Sequence, residues 1–392
     1  MKIVIAPDSF KESLSAMDVA NEIERGFKSA LPDAEFIKVP LADGGEGTVQ
    51  SMVHATKGSI IELNVTGPLG NRVCAHYGIL GDEFIGHGQT AIIEMASASG
   101  LHHVSVEKRD PRITTSYGTG ELICDALNRG ITRIIIGLGG SATNDGGAGM
   151  AQALGIHLLD GSGKALKMGG LALNQLHTIE MKALHPLIQQ CKFIVACDVD
   201  NPLCGDQGAS AIYGPQKGAS PKMVANLDAA LTRYANILTK TKIHGIKILD
   251  KRDEPGAGAA GGMGLGVMAF LNATLKPGID IIMETLKLEQ KMAGADLVVT
   301  GEGRLDSQTL HGKAPMGVTR IANALNIPVI AIAGSVSDDA NLLLEHGIAA
   351  IFSITPRALP LKDVLANAKH NVFTTSQNIA ALLALKATIK GV

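Results

Sequence analysis

Short apolar runs and helix-period stretches alternate at both ends of the chain. Lys2 to Ala6 reads as a strand, Ser13 to Leu31 spaces its apolar residues as a helix does, and Phe36 to Leu41 reads as a second strand before a glycine cluster. This βαβ rhythm returns near the end. There, Asp296 to Thr300, Ile327 to Ala333 and Ala349 to Ile354 are strand-like, separated by helical stretches at Met316 to Leu325 and Asp338 to His346. Both ends therefore predict parallel α/β layers. The middle differs: between Ile60 and Glu94, short strand-like runs are broken by Thr66-Gly67-Pro68, Leu69-Gly70-Asn71 and Gly81-Asp82, a turn spacing that suits antiparallel pairing. Helix and strand periods resume with Gly118 to Arg129, Arg133 to Ile136 and Lys192 to Cys197. The expectation is an α/β fold of two domains, with a base domain from residues 1–62 and 281–392 and a second α/β domain, 63–280, inserted into it. Such an insertion puts a cleft between domains, where small-molecule sites commonly lie.

Composition narrows the partners. With 392 residues, 46% apolar and 18% charged, the chain is globular and long enough for more than one core. Its 8 Phe, 4 Tyr and no Trp leave few platforms for stacking bases. The balance of 35 Lys+Arg against 37 Asp+Glu gives no field to attract nucleic acid or an anionic membrane. A small-molecule partner fits better, with no nucleic acid and no membrane. The N-terminus turns polar at Asp8, too early for the roughly 7–15 apolar residues of a signal peptide, and is read as a mature cytoplasmic start. Nowhere do about 18 uninterrupted apolar residues occur, which predicts no spanning helix. Five cysteines without a C-x-x-C pair are expected to be reduced thiols.

Candidate chemistry gathers in loops that follow strands. After the first strand come Asp8, Ser9 and Lys11, placed at the carboxyl end of a strand where open α/β sheets bind ligands. After the second come Asp43, Gly44, Gly45 and Glu46. Glycines there let the backbone approach a ligand, and the two carboxylates are hard oxygen donors suited to Mg²⁺. The longest such loop is GLGGSATNDGGAG from Gly137, with Gly139, Gly140, Ser141, Asn144 and Asp145, a composition able to form a nest of N–H donors for phosphate. Within it, Gly137-x-Gly139-x-x-Ala142 satisfies a relaxed dinucleotide fingerprint, with Asp160 about twenty residues on. Gly256-x-Gly258-x-x-Gly261 satisfies the strict one but follows Lys251-Arg252-Asp253-Glu254-Pro255 rather than a strand, so close helix packing is expected instead. Asp198 and Asp200 follow another strand and could supply a metal ligand and a general base. Near them, Lys217 lies in a glycine-bounded loop. Glu302, Arg304 and Asp306, followed by Thr309, His311 and Lys313, come from the returning base domain; Arg suits bidentate capture of carboxylate or phosphate. The motifs of zinc proteases, α/β-hydrolases and protein kinases are missing, and Gly312-Lys313 fails the P-loop template. Composition and spacing lead as far as a two-domain α/β protein that binds a phosphorylated ligand with Mg²⁺.

The runs KIVIAPDSFKESLSA from Lys2, PLADGGEGT from Pro40, IGLGGSATNDGG from Ile136 and VVTGEGRLDSQTLHGKAP from Val298 closely resemble the glycerate kinase family, in its bacterial type-1 group. The likeness covers essentially the whole chain. It implies ATP-dependent phosphorylation of D-glycerate, at the 2-hydroxyl in enteric-type relatives, and a Rossmann-like domain carrying an inserted flavodoxin-like one. The resemblance leaves the individual roles to chemistry. Gly139, Gly140, Ser141 and Asn144 are expected to cradle phosphate, with Gly44, Gly45 and Lys313 also toward the nucleotide. Asp43, Glu46 and Glu302 are expected at the metal. Lys11 or Arg304, with Ser9 and Asp306, would take the substrate. Asp198 is the expected base, with Asp145 and Asp8 as rivals. An NAD-dependent dehydrogenase and a non-catalytic sensor of phosphorylated metabolites are the alternative classes.

Overall fold

The computed structural model describes residues 1–41, 47–81, 89–243, 246–310 and 312–388. The chain divides into two compact units, one made of Met1–Asp43 and Ile279–Val392, the other of Gly44–Gly278.

The chain-end unit is built on five parallel strands, Lys2–Pro7, Glu35–Lys38, Leu297–Leu305, Val329–Val336 and Ala350–Ser353. Numbered within the unit their order is 2-1-3-4-5, the arrangement of flavodoxin-like sheets rather than the 3-2-1-4-5-6 of the dinucleotide fold. The resemblance had attached the Rossmann-like label here and the flavodoxin-like one to the insertion. Ile3, Ile5, Val299 and Ile332 form the buried face of the central strands against Val19, Ile23 and Phe27 of the helix Ala16–Lys28. That helix starts at Ala16 because Ser15 Oγ accepts the Asp18 N–H at 3.1 Å; Ser13 instead donates its hydroxyl to Phe10 O. A long helix, Ala368–Thr388, lies outside the elements named from the pattern and packs on Ala16–Lys28, with the Arg25 guanidinium 4.3 Å from the Phe373 ring centre.

The second unit carries a six-stranded sheet whose strands follow one another in space as in sequence. Ser59–Thr66 and Arg72–Ile79 pair antiparallel, as the turn spacing predicted, and Arg72–Ile79 pairs antiparallel with Thr90–Glu94. From Thr90–Glu94 the sheet continues in parallel through Arg133–Gly137, Lys192–Ala196 and Thr274–Lys276. A boundary at residues 62/63 would cut the strand Ser59–Thr66, which pairs over its whole length with Arg72–Ile79. The register sets Glu94 opposite Gly137, Gly137 opposite Ala196, and Ala196 opposite Lys276, so the loops leaving these four parallel strands share one edge. The core beneath that edge joins Ile93, Ile134, Ile136 and Val195 of the sheet to Leu122 and Ile123 of the helix Tyr117–Asn128. All five cysteines are free thiols, and burial pushes Cys124 up to about 11 and Cys191 to about 12. Among the described residues no helix is long and apolar enough to cross a membrane.

Candidate active site

In the second unit the parallel edge carries a pocket of about 610 Å³, within the range of small-molecule sites. Gly137, Gly139 and Gly140 form one wall and Gly47 and Gln50 another, with Glu94, Ser97, His76, His102 and His103 between them. The helix Thr48–Thr56 opens directly after the second glycine cluster, behind Gly47 at φ +89°. Its second N–H, on Val49, donates to Glu94 Oε1 at 2.9 Å, which sets a carboxylate at the positive end of the helix. Gln50 Nε2 lies 2.8 Å from His76 Nε2 and Ser97 Oγ lies 3.3 Å from His76 Nδ1. Because an amide nitrogen can only donate, His76 accepts on Nε2 and, when neutral, keeps its proton on Nδ1 beside Ser97. The Ser97 carbonyl likewise fixes a proton on His103 Nε2, 2.8 Å away. Sequence reasoning missed Gln50, His76, Ser97 and His103, which belong to no motif and meet only where the helices Thr48–Thr56 and Met95–Ser99 and the turn Leu101–His103 come up to the strand Arg72–Ile79.

The glycine-rich loop divides its residues between two tasks. Gly139 and Gly140 face the pocket. A Cβ on Gly139 would meet nothing within 4 Å, so its backbone lies open to a ligand. The polar residues that follow turn inward, because their hydrogen-bonding groups are needed to hold an irregular backbone away from water. Asn144 Nδ2 donates to Ser210 Oγ at 2.9 Å. Asp145 accepts from Ser116 N–H at 2.8 Å, from the Ser116 hydroxyl at 2.9 Å, and from Gly147 and Gly149 N–H at 3.2 Å each. Burial pushes its carboxyl upward and these hydrogen bonds pull it back. Asn144 and Asp145, expected as phosphate ligand and rival base, are both buried and brace the loop, with Asn144 Oδ1 left without a hydrogen-bond partner.

Other expected residues fall as follows. Asp198 follows the strand Lys192–Ala196 on the same edge, exposed, with Oδ1 accepting the Gly278 N–H at 2.8 Å. In the chain-end unit, Asp8 is buried and its Oδ1 accepts the Ser9 N–H, while Lys11 is exposed. The strand expected to stop at Thr300 runs on to Leu305, so Glu302 and Arg304 project from a strand rather than a loop, paired with Ala333 and Ser335. Gly303 passes under the Lys11 backbone, whose N would lie 3.3 Å from a Cβ there. Glu302 is buried and accepts the Thr309 hydroxyl at 2.5 Å; Lys313 Nζ stands 3.5 Å from its other oxygen and 3.9 Å from Asp306. Arg304 Nε is 3.2 Å from Asp306. Burial pushes the Glu302 carboxyl above the usual range, and Thr309 and Lys313 only partly offset it. Glu302 is a hard oxygen donor of the kind a divalent cation takes, but among the described residues no group of three or more carboxylate, imidazole or thiolate side chains comes together to hold one. Asp43, Gly44, Gly45, Glu46 and His311 lie outside the described residues.

Both dinucleotide fingerprints have other work. After Ala142 the chain turns through Asp145, and the helix begins only at Ala148; Asp160 closes a turn by accepting from Ser162 and Lys164. The second fingerprint packs a helix closely, as expected: at Gly261, φ is +74° and a Cβ would fall 2.0 Å from Thr143 O. A larger groove of about 910 Å³ along the helix Pro221–Leu238, with Arg233 and Lys240 in its wall, touches none of these loops.

The sequence model of the glycerate kinase family matches residues 3–384. The chain belongs to the glycerate kinase family. It is 54% identical to a glycerate kinase of Bacillus subtilis over 99% of both chains, and 54% identical to a glycerate 2-kinase of Escherichia coli over 98% of both. A Salmonella typhimurium LT2 chain described provisionally as a glycerate kinase 2 has a crystal structure that superposes with a TM-score of 0.89. It is 53% identical, with 99% of this chain and 100% of that one covered. The chain is therefore a kinase of the glycerate kinase family, which removes the dehydrogenase and sensor alternatives.

Proposed function

We propose that this protein transfers the γ-phosphoryl group of ATP to the 2-hydroxyl of D-glycerate, giving 2-phospho-D-glycerate and ADP with Mg²⁺ as cofactor, in the cytoplasm. The observation that carries this reading is 54% identity to a glycerate 2-kinase across 98% of both chains. It is supported by an open glycine backbone on the pocket wall, suited to phosphate. The substrate's 2-hydroxyl oxygen attacks the γ-phosphorus, the bond to the β,γ-bridging oxygen breaks, and ADP leaves. The hydroxyl proton passes to the Asp198 carboxylate. Catalysis of this transfer is chiefly positioning and charge neutralisation. Gly139 and Gly140 present backbone N–H groups to phosphate oxygens. Lys11 or Arg304, with Ser9 and Asp306 alongside, takes the glycerate carboxylate, and Asp8 orders the turn that carries Ser9. Glu302, with Asp43 and Glu46, would hold Mg²⁺, and Lys313, Gly44 and Gly45 serve the nucleotide. Bound Mg²⁺ supplies charge neutralisation at the phosphates.

The deciding experiment measures ADP release from Mg-ATP with and without D-glycerate and locates the new phosphate by NMR. Glycerate-dependent ADP with phosphate on C2 is expected. Phosphate on C3 would overturn the regiochemistry, and no stimulation by glycerate would overturn the substrate. In the same assay Asp198→Asn should lower kcat by about 10²–10⁴-fold with little change in the KM for glycerate; undiminished turnover would remove Asp198 as the base.

A further inference from the structure

Beneath the glycine-rich loop lies an ammonium group that the reaction above does not use. Lys217 closes the short turn Pro215–Lys217, and its whole side chain is buried. Its Nζ donates to Ser141 Oγ at 2.9 Å and to the Thr143 carbonyl at 2.7 Å, reaching residues 76 and 74 positions earlier in the chain. Ser141 follows Gly139 and Gly140 directly and Thr143 stands two residues further on, and the backbone of the two glycines faces the pocket. The neighbouring Asn144 and Asp145 are tied to other partners, and the backbone of Gly140 and Ala142 is bonded to Leu101, Ser99 and Thr114, so Lys217 adds the hold on the Ser141 side chain and the Thr143 carbonyl.

An ammonium is a costly way to fill a buried space, because desolvation disfavours its charge. Burial draws Lys217 down to about 7, with the Asp145 charge opposing that fall. A methionine could occupy similar volume without this cost. What it could not do is donate two hydrogen bonds to a loop that packs few apolar atoms of its own, and the amine does so in either protonation state.

We propose that Lys217 is the positioning residue of the nucleotide site: by clamping Ser141 and Thr143 it holds the N–H groups of Gly139 and Gly140 in the geometry that receives the polyphosphate of an adenine nucleotide. This rests on the kinase reading of the pocket and adds a residue that acts through the loop rather than on the substrate. Release of the clamp loosens the phosphate cradle and leaves the acceptor side unchanged, so the loss falls on the nucleotide.

The test uses the full chain and compares wild type, Lys217→Met and Lys217→Arg. ADP affinity with Mg²⁺ is read by calorimetry, and KM values for ATP and D-glycerate are read from steady-state turnover. Lys217→Met should weaken ADP and raise the KM for ATP by roughly tenfold or more, with the KM for glycerate within about twofold, because a misplaced binding group costs on that order. Lys217→Arg, which keeps the donors, should recover part of the loss. A folded Lys217→Met protein with unaltered ADP affinity overturns the proposal, as does equal loss for both substrates in both variants. Should Lys217→Met fail to fold, Ser141→Ala removes one acceptor alone: weakened ADP supports the clamp and unchanged ADP overturns it. A wild type that binds Mg-ADP but does not phosphorylate D-glycerate refutes the substrate assignment, while the affinity comparison still decides the role of Lys217. A wild type that binds no adenine nucleotide overturns both.

Discussion

Asp145 accepts four hydrogen bonds while almost wholly buried, which makes it a structural keystone of the glycine-rich loop. Replacing it with alanine strands the Ser116 and Gly149 donors in a dry interior, so Asp145→Ala should destabilise the protein by roughly 2–4 kcal/mol in urea unfolding. Stability equal to wild type would refute this bracing role. Lys217 makes a prediction of its own through pH. Its ordinary value is 10.5 and its folded value about 7. Between those limits the unfolded chain keeps the lysine proton and the folded chain releases it, so stability gains from this group as pH rises. Below about 7 both states are protonated and the cost of burying the charge is borne in full. Measured by denaturant unfolding, the stability of wild type relative to Lys217→Met should therefore climb from pH 7 toward 10.5. A difference that stays flat across this window would contradict the burial of a protonatable amine.

Elements here are set by close approach as much as by propensity. The helix Ala259–Phe270 begins with three residues in left-handed conformation, Ala260, Gly261 and Gly262. This start brings Gly261 against the Thr143 carbonyl, the same carbonyl that Lys217 clamps. Gly261→Ala would need both a left-handed alanine and a shifted loop. It should cost roughly 2–4 kcal/mol and raise the KM for ATP. Unchanged thermal stability and kinetics would show that the two segments are not mechanically joined. The strand Leu297–Leu305 makes a related point. Its glycines at 301 and 303 looked like loop residues from sequence, yet both lie within the strand, with a Gly301 Cβ only 2.1 Å from Ile332 O. Here glycine serves close packing within the sheet rather than a turn.

At the scale of the molecule, the two units differ in how the chain supplies them. Gly44–Gly278 is continuous and encloses its own core, from Val65 through Ile136 to Phe270. Expressed alone, it should melt in a single cooperative transition by calorimetry or circular dichroism. Met1–Asp43 alone should show none, because Lys2–Pro7 needs Leu297–Leu305 as its neighbour. An unstructured Gly44–Gly278 fragment would mean that its core depends on the other unit.

Local pattern was enough to name the five strands of the chain-end sheet, the helix after the first of them and the antiparallel texture before Glu94, but not the long helix Ala368–Thr388. Apolar periodicity and turn residues act over neighbouring positions, and strand carboxyl ends follow from them. The four long motifs carried the family as well, because they keep residue order intact. Which side of a loop is offered to ligand was not legible. Ser141, Asn144 and Asp145 have the composition of phosphate ligands, yet their partners Lys217, Ser210 and Ser116 come from distant parts of the chain and turn them inward. His76 on the strand Arg72–Ile79 and Ser97 in the helix Met95–Ser99 likewise meet only in the folded chain. Burial is a property of what packs on a residue, and only the tertiary structure decides that; a sequence records the hydrogen-bonding groups but not which of them water will reach.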